Sequence, residues 1–118
     1  MEVIEYEKIV MPIDQYIQGA LEGESIIMKQ GFHPSAQIYG YLDGNLLADP
    51  MQVIYDYVDQ HPPAGDLKYV IRSIDRSGNA ASARVEIANW HGDTFTDFFT
   101  LLKIDNQWKI TNKIFMQH

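Results

Sequence analysis

The sequence predicts an α+β domain in which three N-terminal helices pack against a curved antiparallel sheet. Apolar residues recur at helical spacing through the first half of the chain, and the period falls to two through the second half. The third observation is length: 118 residues is close to the commonest size of one domain, so a single domain over residues 1–118 is expected.

The first helix is read from Tyr6, Ile9, Val10, Ile13, Tyr16, Ile17, Ala20 and Leu21, which form one apolar stripe. Pro12 lies within it, either kinking the helix or opening a helix that follows a separate turn. Gly23 closes it, and Glu24–Gln30 reads as a short second helix ended by Gly31. Ala36–Leu42 is a strand, Asp43-Gly44 a hairpin turn, and Asn45–Ala48 the returning strand. Asp49-Pro50 reads as the cap and first position of a third helix, with Met51, Ile54, Tyr55 and Val58 on one face. His61-Pro62-Pro63 stops that helix. Leu67–Asp75, Ala80–Trp90, Thr94–Ile104 and Gln107–Met116 are strands separated by turn residues. Long strands in a meander twist and coil, which gives the sheet a concave face for the helices to cover. A cavity between helix and sheet is a natural seat for a small ligand.

Composition narrows the partners. Hydrophobic residues make up 46% of the chain, as in globular proteins. Net charge is −7 and unevenly spread: residues 1–66 carry −9, residues 67–118 carry +2, and the bases of the second half are dispersed. Such a surface repels a phosphate backbone, so no nucleic-acid partner is expected. There is no cysteine, which excludes disulfides and thiolate metal sites. No apolar run approaches the roughly 18 residues of a membrane span, and the acidic start lacks the pattern of a signal peptide, so a cytoplasmic protein without a membrane partner is expected.

Three stretches resemble a known family. Ile13-Asp14-Gln15-Tyr16-Ile17-Gln18-Gly19-Ala20 with Gly23-Glu24, then Phe32-His33-Pro34-Ser35-Ala36, then Asp97–Phe115 resemble, in this order, the NTF2-like superfamily. Within it the chain is most similar to the SnoaL-like and "putative lumazine-binding" proteins. The resemblance implies a cone-shaped, cystatin-like fold and a homodimer packed through the convex sheet face. It leaves the chemistry open, because isomerases, polyketide cyclases, dehydratases, ligand carriers and transport factors share this fold.

Tyr16 falls on the inner stripe of the first helix. In isomerase-like relatives a tyrosine at the matching place donates a hydrogen bond to a developing enolate, and a buried phenol suits that role. The alternative is a core tyrosine whose hydroxyl meets a backbone group. The carboxylate base that the resemblance requires would match Tyr39 or Gly40, and the second acid would match Thr100; neither position is acidic. Asp97 is three residues from Thr100 and so belongs to the opposite face of a regular strand. His33 is the remaining acid–base candidate, with a ring that titrates near neutrality, unless it only fixes the corner beside Pro34. His61, His91 and His118 read as exposed. The histidines and acids show no ligand spacing, so no metal is expected, and no Gly-rich phosphate loop or other cofactor motif is present.

The aromatic residues are numerous for so small a core. With polar points at Thr100 and Asn112 they suit a pocket for a small apolar or aromatic molecule, lined by Tyr16, Tyr55, Phe98, Thr100 and Asn112 with Tyr39 and His33 at its rim. Three functional readings follow. One is a ligand-binding domain; another is a polyketide-cyclase, dehydratase or isomerase-like enzyme using Tyr16 and His33; the third is a non-catalytic interaction module. The near-neutral, apolar second half makes a sheet-to-sheet homodimer the expected assembly.

Overall fold

A computed structural model describes the whole chain, Met1–His118. Helix α1 (Val3–Glu22) leads, followed by α2 (Ser25–Lys29), β1 (Phe32–Leu42), β2 (Asn45–Pro50) and α3 (Gln52–Gln60). Four strands complete the fold: β3 (Lys68–Ser77), β4 (Ala80–Trp90), β5 (Asp93–Ile104) and β6 (Gln107–Gln117). The strands form one open sheet in the order β2-β1-β6-β5-β4-β3. All neighbours are antiparallel except β1 and β6, which run parallel because the chain crosses from one side of the sheet to the other between them. No helix is long and apolar enough to cross a membrane.

α1 buries Ile9, Ile13, Tyr16, Ile17 and Ala20, the residues that helical spacing places on one face. They meet Ala83, Val85 and Ile87 of β4, Phe99 and Leu101 of β5, and Trp108 and Ile110 of β6 in a single core. The helix is continuous through Pro12, so the alternative of two separate segments does not occur. Gly23 ends it in the left-handed conformation, with φ of 69°. Near its start, Glu5 accepts hydrogen bonds from the Trp108 indole at 2.7 Å and the Lys103 ammonium at 3.0 Å, which pin the helix to the far end of β5 and β6. The five-residue α2 could not persist alone. Its first residue, Ser25, donates through backbone and hydroxyl to the Asp59 carboxylate of α3, at 3.0 and 2.7 Å.

Two strand boundaries differ most from expectation: β1 starts at Phe32 rather than Ala36, and β2 runs on to Pro50. Asp49 and Pro50 do not open α3; they pair with Ile38 and Gln37 as the last residues of β2, and the helix is entered from Met51. β2 is an edge strand, where a proline costs no ladder hydrogen bond.

Gly31 lies where the helical layer joins the sheet. Its carbonyl accepts the Ile110 N–H at 2.8 Å, while a Cβ built on it would come within 2.4 Å of the Pro12 carbonyl oxygen. Backbone presses on it from both sides, so neither wall can yield. Gly31→Ala should therefore destabilise the fold by about 1–3 kcal/mol through overpacking. Gly65→Ala, where a Cβ meets open space, should stay within about 0.5 kcal/mol of the parent. Urea denaturation of the two variants checks the contrast, and equal midpoints would refute it.

Candidate functional site

Two irregularities in the sheet create the site. Along β4, residues Ala81, Ala83, Val85 and Ile87 point inward, then the register shifts between Ile87 and Trp90. Asn89 takes a positive φ of 62° there, and Trp90 turns inward instead of following the alternation. Along β6, Trp108 and Ile110 point inward. Leu101 pairs with Ile110 but Thr100 pairs with Asn112, so Thr111 is an extra residue on that strand. After this bulge the buried set becomes Lys113 and Phe115, and Asn112 and Ile114 turn to the convex side.

The re-aimed residues border a half-open cavity of about 270 Å³ between the β1–β2 hairpin, α3 and the ends of β4, β5 and β6. Ile38, Leu42 and Leu47 form one wall, Val53, Ile54 and Tyr57 of α3 another, and Trp90, Phe95 and Phe115 the aromatic third. Gly40 supports that third wall. It pairs with Phe115, and a Cβ on it would fall 2.5 Å from the phenyl ring. Asp43 and Asp93 are exposed and belong to the mouth. Lys113, 5% exposed, is the one buried charged group that borders the cavity.

Two buried polar side chains lie behind Lys113. Its ammonium donates to the Tyr16 hydroxyl at 2.5 Å and stands 3.4 Å from Asp97 Oδ2. Asp97 is fully buried, and neither carboxylate oxygen accepts a hydrogen bond. The rings of Tyr16, Phe115 and Trp90 surround the Lys113 nitrogen at 4.7, 5.4 and 5.8 Å from their centroids. Burial lowers the Lys113 pKa against the opposing pull of Asp97, and burial raises that of Asp97 against the opposing pull of Lys113. The Tyr16 phenol is pushed well above its usual value, again chiefly by burial. Burial thus shifts each member toward its uncharged form, and the attraction between Asp97 and Lys113 opposes that shift.

The residues singled out from sequence are dispersed. Tyr16 is in the core beneath Lys113, in edge contact with Phe32, Trp90 and Phe99. Tyr55 is also core, packed against Phe32 with the Lys29 ammonium over its ring. Phe98, Thr100 and Asn112 border a separate depression of about 240 Å³ on the convex face, not the cavity. Tyr39 is 41% exposed on β1, on the side opposite inward-facing Ile38. His33 accepts the Ser35 N–H through Nδ1 at 3.1 Å and pairs with the Ser35 hydroxyl at 2.8 Å, which fixes its corner away from the cavity. Asp97 is the reverse case: opposite to Thr100 in direction, as alternation requires, it is the residue that faces inward. Lys113 was missed because alternation from Trp108 and Ile110 points Asn112 inward. The available signal was a conflict of parity, since Phe115 cannot share a face with Trp108 in an unbroken strand.

Residues 5–116 match the family described as "putative lumazine-binding". The chain belongs to this family. Its fold is that of the NTF2-like superfamily. An NTF2-like protein of unknown function from Shewanella baltica OS155 is 37% identical and superposes with a TM-score of 0.93, over 100% of this chain and 97% of that one. Another, from Methylobacillus flagellatus KT, is 35% identical with a TM-score of 0.95, over 100% and 95%. The aldolase FrzH of Cladobotryum sp is 32% identical over 112 residues, 94% of this chain and 90% of that protein.

The Asp97–Lys113 pair costs stability in its ionised form, and removing one partner strands the other. Asp97→Leu alone should destabilise the protein by about 3–5 kcal/mol at neutral pH, whereas Asp97→Leu combined with Lys113→Met should return to parental stability or exceed it. Chemical denaturation of the single and double variants checks this; a double variant as weak as the single one would contradict it.

Proposed function

We propose that this domain binds a small apolar or aromatic carbonyl compound in the cavity beneath α3 and acts on its carbonyl group. The observation that carries the reading is Lys113, a buried amine bordering an otherwise largely apolar enclosure. An apolar pocket with one convergent polar group orients a ligand through that group. A carbonyl oxygen accepts from Lys113 while the remainder packs on Trp90, Phe95 and Phe115. The name of the similar aldolase supports this reading, because aldolases as a class act on carbonyl compounds. Proton transfer between Tyr16 and His33 has less support, since neither borders the cavity. A pure interaction module has less still, given the cavity itself.

The test is calorimetric titration with a panel of aromatic ketones and aldehydes, each paired with the hydrocarbon in which CH2 replaces the carbonyl. Ketones that fit should bind about tenfold or more tightly than these hydrocarbons, the worth of a hydrogen bond to a charged donor. Lys113→Met should abolish the difference. The reading fails if no member binds below millimolar, or if the hydrocarbons bind as well as the ketones.

We also infer a homodimer formed through the convex sheet face. Phe98 pairs with Ile114 and Thr96 with Met116 across β5 and β6, and with Leu102 they leave an apolar patch at the middle of that face; Phe98, Ile114 and Met116 are 45%, 50% and 56% exposed. A two-fold partner using the same patch covers it. Light scattering at micromolar concentration should return twice 13.6 kDa, and Phe98→Glu should return the monomer. A parental protein that scatters as a monomer refutes the assembly.

A further inference from the structure

We propose that Lys113 does more than polarise the ligand: its amine attacks the carbonyl carbon, and the domain works through a covalent lysine imine. This rests on the reading that the cavity takes a carbonyl compound. Three features of the geometry carry it.

The first is position. Lys113 borders the cavity, and its nitrogen is held against the Tyr16 hydroxyl among the rings of Tyr16, Trp90 and Phe115. A carbonyl carbon seated there meets the nitrogen rather than solvent. The second is the proton. A lysine attacks only as the free amine, and Asp97 at 3.4 Å can receive the ammonium proton. Moving it converts an ion pair into a neutral pair and leaves the net charge of the core at zero. Burial favours that transfer at both ends. The third is the unsatisfied carboxylate. A carboxylate placed for stability is held by several close hydrogen bonds, yet Asp97 is fully buried and meets the Lys113 ammonium only at 3.4 Å. This is an expensive arrangement in a fold of this size, and a reactive amine is a reason to keep it.

The step balances without a co-reactant. The nitrogen lone pair forms the C–N bond as the carbonyl π pair moves to oxygen. That oxygen takes the proton held by Asp97, one nitrogen proton passes to the resulting hydroxyl, and water leaves to give the protonated imine. In its protonated form, the imine accepts the electron pair of a neighbouring C–H bond. The proton leaves to solvent, and an enamine remains whose carbon can attack a second carbonyl compound.

The experiment uses the parental chain and the ketone from the titration panel that binds best, with sodium cyanoborohydride present and the products read by intact mass and peptide mapping. One ketone equivalent should appear as a secondary amine on Lys113, formed about tenfold or more faster than on any exposed lysine. An excess of the alcohol obtained by reducing that ketone should protect Lys113, which tests the site without relying on a variant that must fold. Lys113→Arg should give no cavity adduct. A ketone that binds but leaves Lys113 unmodified overturns the imine and leaves the binding reading intact. Adducts spread over exposed lysines, unaffected by the alcohol, overturn it equally. If no panel member binds, both proposals fall.

Discussion

A sheet with five strands of ten to twelve residues has to bend around one twenty-residue helix, and this fold depends on how it bends. Regular pleating gives twist, but closing a concave face around α1 needs local breaks in register. The sheet has them in β3, β4 and β6. Each break that curves the sheet also swaps which side chains face the helix. In β6 the swap exchanges Asn112 for Lys113, and in β4 it brings Trp90 inward. Curvature and site are therefore one structural fact. Straightening β6 would send the lysine to the convex face.

The interior that results is uneven in its energetics. Around Ile9, Ile13, Ile17, Val85 and Ile110 the core is apolar and close-packed, and it supplies the stability. A few residues away, Tyr16, Asp97 and Lys113 put a phenol, an acid and an amine in the same dry layer. The aromatic rings around Lys113 recover part of the desolvation cost through their negative faces. On the far side of the helix start, Glu5 has a gentler setting. There the Trp108 hydrogen bond, followed by that of Lys103, holds the carboxyl below its usual range, so it adds stability at neutral pH that is lost as the solution becomes acidic. One carboxylate thus anchors the fold while the other burdens it.

Much of the fold was legible. The helical stripe of α1, the Asp43-Gly44 turn, the alternation of β4 up to Ile87 and the inward parity of Phe99 and Leu101 in β5 each follow from spacing that no tertiary contact overrides. Phe95, Phe99 and Leu101 share a parity with Asp97, so turning those aromatics inward carries the acid in with them. What could not be read was everything downstream of a bulge. A single extra residue at Thr111 inverts the faces of the rest of β6, and nothing in a period-two pattern announces it. The same limit applies to Asp49-Pro50, whose local chemistry suits a helix start as well as the end of an edge strand. The parallel pairing of β1 with β6 depends on a crossover, which lies beyond any local signal.

The packing of Phe115 on Gly40 gives the cavity an adjustable depth. The ring occupies the space that any side chain at position 40 would claim, so it is held back against β1 only because that position has none. Introducing even a methyl group would force the phenyl ring to shift, and that ring is one of the three around the Lys113 ammonium. Relatives built on the same backbone could thus change the shape of this cavity by changing one residue behind its wall.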